Sequence, residues 1–181
     1  MSDAADRYRR LSERFAALVE AVPADRWSSA SPCEGWTALD VVRHVVETHG
    51  MFEDLAGRPI ELPEVESDPL AAFRQVSSVV QADLDDPERA EVAWDGHFGR
   101  TTFAEGIDRF VSFDLVVHGW DLARATGGDE SIPDEELDVL EAAVEGYGEA
   151  ARMPGVFGPI VDVPPGADRR TRVLALVGRS A

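Results

Sequence analysis

The chain has 181 residues and a mass of 19.7 kDa, which suits one domain. Its 44% hydrophobic and 29% charged residues are ordinary for a packed globule and exclude wholesale disorder. A formal net charge of −18 repels phosphate backbones and anionic lipid, which excludes non-specific nucleic-acid or membrane-surface binding. A single cysteine, Cys33, excludes an internal disulfide and a cysteine-built zinc ribbon. No apolar run approaches the ~20 residues of a membrane span, and the polar stretch 1–14 has no apolar signal-peptide core. The expectation is one cytoplasmic domain spanning residues 1–181.

The elements read as mostly helical. Tyr8, Leu11, Phe15, Leu18, Val19 and Val22 recur at steps of three and four, giving a first helix that ends before Pro23. A turn-rich stretch from Trp27 to Trp36 follows. Thr37 and Asp40 resemble a capping box, which opens a second helix running to about Leu55. Asp68 and Pro69 mark the start of a third helix that continues to about Asp85. Residues 86–100 carry Pro87, Gly96 and Gly99, and the run 91–94 reads as a strand or extended segment. Thr102 and Glu105 form a better capping box and open the longest helix, about Phe103 to Thr126, stopped by Gly127 and Gly128. Ile132 and Pro133 begin a fifth helix with Leu137, Leu140, Val144 and Tyr147 on one face. A Pro/Gly-rich stretch from Pro154 to Gly166 precedes a short helix at about 168–177. No internal repeat or linker interrupts the chain. The fold class is all-α: a helical bundle with short additions.

Two of the four histidines, His44 and His118, lie inside apolar helical runs, where a polar group is costly to bury without a partner. Asp114 and His118 are four apart and stack on one helix face, about 40° from each other; Asp121 lies three further on, about 60° to the other side. A carboxylate and an imidazole from one helix, met by a second imidazole such as His44 from a facing helix, is how bundle cores build metal sites. Such an N, N, O set leaves coordination positions open for water or substrate, the pattern of a catalytic metal. An i, i+4 Asp/His pair is also a common plain hydrogen bond, and a structural role for both histidines stands beside the metal reading.

His49, about 140° around the helix from His44, reads as a surface or rim histidine. His97 reads as a solvated loop histidine that could lean over a site. Cys33 reads as a small buried thiol, since no partner stands at a defined spacing. Trp36 and Trp120 read as core or pocket wall, and Arg124 as a partner of Asp121.

The segment from Ser31 through Cys33, Trp36 and Thr37 to His44, and the segment from Asp114 through His118, Trp120 and Asp121 to Gly127, together resemble an actinobacterial family of the DinB/YfiT-like superfamily. That family is related to the metal-binding, N-terminal domain of mycothiol-dependent maleylpyruvate isomerase. The stretch Thr171–Arg179 is similar as well, so the resemblance extends over nearly the whole chain. It implies a DinB-like four-helix bundle holding one divalent metal on His44, Asp114 and His118. Zinc is the first expectation for that metal, with nickel, iron and manganese as alternatives. Asp121 and His97 are then candidate supporting groups, and Trp36 and Trp120 candidate pocket walls. Aspartate stands at 114 where the isomerase has glutamate, so the metal is expected nearer that helix or on a bridging water.

The resemblance further implies a thiol-dependent transferase or isomerase-type enzyme using mycothiol. The metal would hold the thiol as thiolate, and the partners would be that thiol and an unidentified electrophile, in a monomer or homodimer. The isomerase's second, sterol-carrier-like domain is not found in these 181 residues, so its own reaction is not carried over. The alternatives are a metal- or ligand-binding module without turnover and a metal-dependent hydrolase or tailoring enzyme of secondary metabolism.

Overall fold

The computed structural model describes residues 3–96, 99–148, 157 and 159–181, in two compact units, Met1–Asp129 and Glu130–Ala181. It is mainly helical with one small two-stranded antiparallel sheet, as the sequence pattern leads one to expect. The first unit contains α1 (Asp3–Glu20), α2 (Ala38–Leu55), α3 (Pro69–Asp85), the single turn α4 (Pro87–Ala90), β1 (Ala93–Gly96), β2 (Gly99–Thr102), the short α5 (Phe103–Gly106) and α6 (Ser112–Thr126). The second contains α7 (Asp134–Tyr147) and α8 (Arg169–Leu176). None of the described helices is long and apolar enough to cross a membrane.

Four helices form the body of the first unit. α1 packs on α3 and α6, and α2 packs on the same two, so α1 and α2 face each other across a diagonal. The apolar stripe of α1 supplies Tyr8, Leu11, Phe15 and Val19, all buried. α3 supplies Phe73, Val76 and Val80, and the rings of Phe15 and Phe73 meet at 4.8 Å. Full burial of side chains of this size contributes ~1.5–3 kcal/mol each. α2 is flanked by two helices, so its buried arc is wide: Val41, Val42, Val45, Val46, His49, Phe52 and Glu53 are all inside.

Local signals fix where the helices begin. Thr37 caps α2, accepting from the Asp40 amide while the Asp40 carboxylate accepts from the Thr37 amide at 2.8 Å, the reciprocal box the sequence suggests. Hydrogen bonds from Thr37 and the Arg43 guanidinium hold the Asp40 carboxyl below its ordinary range. Asp68 caps α3 with Pro69 in the first turn, and Asp168 caps α8. Asp86 caps α4, one turn of helix in a stretch to which the sequence pattern assigns no element. Gly127, at φ 76°, supplies the left-handed residue that ends α6.

The helix expected over 103–126 is not uniform. Between α5 and α6 lies a π-helical turn, Ile107–Val111, in which the Ser112 amide reaches the Ile107 carbonyl. The apolar residues Phe103, Ile107 and Val111 repeat at steps of four and are all fully buried. An α-helix would carry such a row round by about 40° per step, and the wider turn keeps it facing inward. β1 and β2 pair with Ala93 opposite Thr102 and Gly96 opposite Gly99. The strand pair holds Trp94 against Phe52. His97, a candidate supporting group, lies outside the described residues.

One buried polar cluster has no counterpart in the sequence reading. Glu53 of α2 and Asp83 of α3 are both buried, with Arg58 Nε 3.3 Å from Glu53 and 2.5 Å from Asp83, and Arg89 pairs with Asp83 as well. Burial, with Asp83 close by, pushes the Glu53 carboxyl upward. In the second unit α7 packs on α8, burying Leu137, Leu140, Val173 and Leu174. Arg169 at the start of α8 pairs with Asp134, Asp138 and Glu141 on α7.

Candidate metal centre

The site begins in the turn before α2. The Ser31 amide donates to the Trp36 carbonyl, the Trp36 amide to the Cys33 carbonyl, and Ala30 bridges Thr37. This closed turn, followed at once by the capped start of α2, fixes the positions of Cys33, Trp36 and His44 relative to one another. The other half comes from α6, on which every residue from Leu115 to Ala123 is buried. Gly119 lets that helix approach α1 closely: a Cβ there would stand 3.2 Å from Leu18 Cδ1.

His44, Asp114 and His118 come together, with one ligand atom from each lying within 4.8 Å of the others. His44 Nε2 is 3.3 Å from Asp114 Oδ2, and His118 Nε2 is 4.0 Å from Asp114 Oδ1. The two imidazoles meet edge to face with centroids 4.8 Å apart. The shorter aspartate side chain therefore does reach across to the α2 histidine. Trp36 covers one side, its ring 5.0 Å from that of His44 and 5.9 Å from that of His118. The His44 side chain is 35% exposed and that of His118 only 8%, so the trio is open on the His44 side.

The electrostatics suit a cation. Burial pushes the Asp114 carboxyl up, but the hydrogen bond with His44 and the charges of His118, His44 and His49 outweigh it and hold the group below its ordinary range. Behind His118, the fully buried Asp121 has Oδ2 3.0 Å from His118 Nδ1. A carboxylate can only accept, so Nδ1 carries a ring proton, and in the neutral form of the ring Nε2 is the bare nitrogen toward Asp114. A carboxylate fixing the tautomer of a histidine with its other nitrogen free is the usual support of a metal ligand. Two imidazole nitrogens and one carboxylate fit a divalent first-row ion with positions to spare.

Other expectations are corrected. His49 is not a surface or rim residue; it is fully buried. Its direction, away from His44, leads into the bundle centre because α2 is covered on two flanks. Its Nδ1 donates to the Val45 carbonyl at 2.7 Å, and its Nε2 accepts from Tyr8 Oη at 2.9 Å across the bundle diagonal. Burial lowers its pKa to about 4 and raises that of Tyr8 far above the ordinary value. Cys33 is half-buried rather than inside, and its Sγ donates to Asp121 Oδ2 at 3.3 Å. These two residues are 88 apart in sequence, so no spacing rule announces the contact. Arg124 is exposed, with its guanidinium over the Trp120 ring. Trp120 is buried and, among the described residues, makes no ring contact with the trio.

The fold and this site together define a helical-bundle protein with a candidate two-histidine, one-aspartate metal site. Residues 8–93 match the family described as the mycothiol maleylpyruvate isomerase N-terminal domain, so this stretch of the chain is similar to that DinB-like family, in keeping with the resemblance carried by the first motif. The matched stretch includes Trp36 and His44 and ends before Asp114 and His118. Two uncharacterized proteins of Mycobacterium tuberculosis, from strains CDC 1551 and H37Rv, are each 29% identical over 177 residues, covering 96% of this chain and 96% of the relative. No solved structure matches the chain.

Proposed function

We propose that this protein is a divalent-metal-dependent enzyme acting with a small-molecule thiol, mycothiol by that resemblance, in S-transfer or isomerase-type chemistry. The observation that carries the reading is the convergence of His44, Asp114 and His118 on an accessible side, with Asp121 orienting His118 from behind. These three residues would hold the ion, with zinc as the first candidate and nickel, iron or manganese as alternatives. When bound, a divalent ion supplies Lewis acidity that favours the thiolate of a coordinated thiol, whose free pKa is ~8.5.

The chain's own residues do the rest. Asp121 keeps the proton on His118 Nδ1 and so keeps Nε2 bare. Asp114 contributes the negative charge that offsets the cation. Trp36 excludes water from one side and offers an apolar face to a bound molecule. The exposed edge at His44 leaves an entry for a thiol and an electrophile. Nucleic acid and membrane have no part in this reading, which places the protein in the cytoplasm as a monomer or homodimer.

Elemental analysis of the purified protein, followed by thiol consumption with a general electrophile in the presence and absence of mycothiol, tests the reading. The expected result is metal near one per chain and consumption that requires both mycothiol and an intact His44. Metal bound on the same residues with no consumption of any thiol would make the protein a binding module without turnover.

A further inference from the structure

His118 takes part in two donor sets, one on each ring nitrogen. Beyond the trio on its Nε2 side, Cys33 Sγ, Asp121 and His118 also place one ligand atom each within 4.8 Å of the others. The short distances are 3.3 Å from Sγ to Asp121 Oδ2 and 3.0 Å from the same oxygen to His118 Nδ1. We propose that Cys33, Asp121 and His118 form a second metal site, selective for thiophilic divalent ions such as cadmium or excess zinc, which competes with the first site for His118.

The chemistry of the donors separates the two sites. The first is built of nitrogen and carboxylate oxygen; the second adds a thiolate, which favours softer ions. The second is also the more negative once the thiol gives up its proton, since thiolate and Asp121 together offset a double positive charge. It is preformed: Cys33 is held by its amide on Ser31 Oγ at 3.2 Å and by its carbonyl accepting from the Trp36 amide, while Asp121 is fully buried. Competition follows from the imidazole itself. A neutral ring carries one proton and offers one bare nitrogen. With the proton on Nδ1, donated to Asp121, Nε2 serves the first site. An ion taken on Nδ1 moves that proton to Nε2, beside the Asp114 carboxylate, and removes a ligand from the first site. A thiophilic ion at Cys33 would thus switch off whatever depends on His44 and Asp114. The second site itself stands on its own donors, whereas the competition and its consequence rest on the preceding functional reading.

Cadmium titration of the intact protein is the test. The parent should develop a thiolate-to-cadmium ultraviolet band, and cadmium should protect Cys33 from alkylation by iodoacetamide. Cys33→Ser should lose the band and bind cadmium at least ~10-fold more weakly. His44→Ala, which disables only the first site, should keep both band and protection. Cadmium should also displace nickel preloaded on the parent. Absence of both band and protection at saturating cadmium would overturn the second site. Loss of the band in His44→Ala would place Cys33 in the first site instead, and nickel and cadmium bound together would overturn the competition. Failure of the first site reads out separately, as nickel binding that His44→Ala leaves unchanged.

Discussion

His44 and His49 stand five residues apart on α2 and have opposite surroundings. His44 is about one-third exposed, beside a carboxylate and a second imidazole, with a tryptophan over one face. His49 is fully buried, and both its nitrogens are taken, one by a backbone carbonyl of its own helix and one by Tyr8. The first turns its Nε2 to a carboxylate at a partly open edge; the second uses both nitrogens inside the bundle. An imidazole on an apolar helix is therefore not assigned by its own neighbours in sequence but by what the adjoining helix brings to it.

That contrast can be broken most directly by removing the open pair. His44→Ala or His118→Ala should drop bound metal well below one per chain, measured by elemental analysis, while the helical circular-dichroism signal stays. Near-stoichiometric metal in both variants would end the claim that they are ligands. His49→Ala should do the reverse. It should keep the metal and lose ~2–4 kcal/mol of stability in urea unfolding, because it leaves a cavity and takes the 2.9 Å partner from the Tyr8 hydroxyl, which is left with the Ser77 carbonyl at 3.4 Å. Metal loss in that variant with stability intact would reverse the roles assigned to the two histidines.

The same comparison has a pH signature. The His49 pKa is about 4 folded, against an ordinary value of 6.5. Between these values the unfolded chain binds more protons, so stability falls as pH drops from 6.5 toward 4 and is unaffected by this group above 6.5. The full effect is roughly 3 kcal/mol. Glu53, whose carboxyl is raised by burial, works in the opposite direction, so the measurement is the difference between parent and His49→Ala across that range. Parallel stability curves for the two proteins would show that His49 is not held neutral in the fold.

Smaller effects sharpen the picture around Asp114. Asp114→Asn keeps the shape and removes the charge, and metal affinity should fall ~10-fold in zinc titrations followed by unfolding temperature. Asp114→Glu should retain the metal. If Asp114→Asn shows the same metal-dependent rise as the parent, Asp114 is not a ligand and Asp121 becomes the residue to vary. Smallest is Thr37→Ala, which removes the cap that sets where α2 begins. It should cost ~1 kcal/mol, or about 3 °C in a chain of this size, with metal content unchanged.

Much of the fold follows from local signals that the sequence carries openly. The steps of three and four in α1, the boxes at Thr37 and Thr102, the Asp-Pro start of α3 and the stop at Gly127 are short-range chemistry, settled within a turn of helix. The candidate trio was legible for a related reason: Asp114 and His118 share a face by helix geometry alone, and His44 sits in a matching apolar run. Three things required the assembled bundle. The π turn at 107–111 follows from keeping Phe103, Ile107 and Val111 all facing inward. The burial of His49 and the Glu53–Asp83 cluster depends on α2 being covered on two flanks, which no pattern within α2 reveals. The meeting of Cys33 with Asp121 joins a turn to a helix 88 residues away. Periodicity tells which residues share a face of one helix. Which face meets which neighbour, and so whether a histidine is left open or closed off, is decided only when the helices pack.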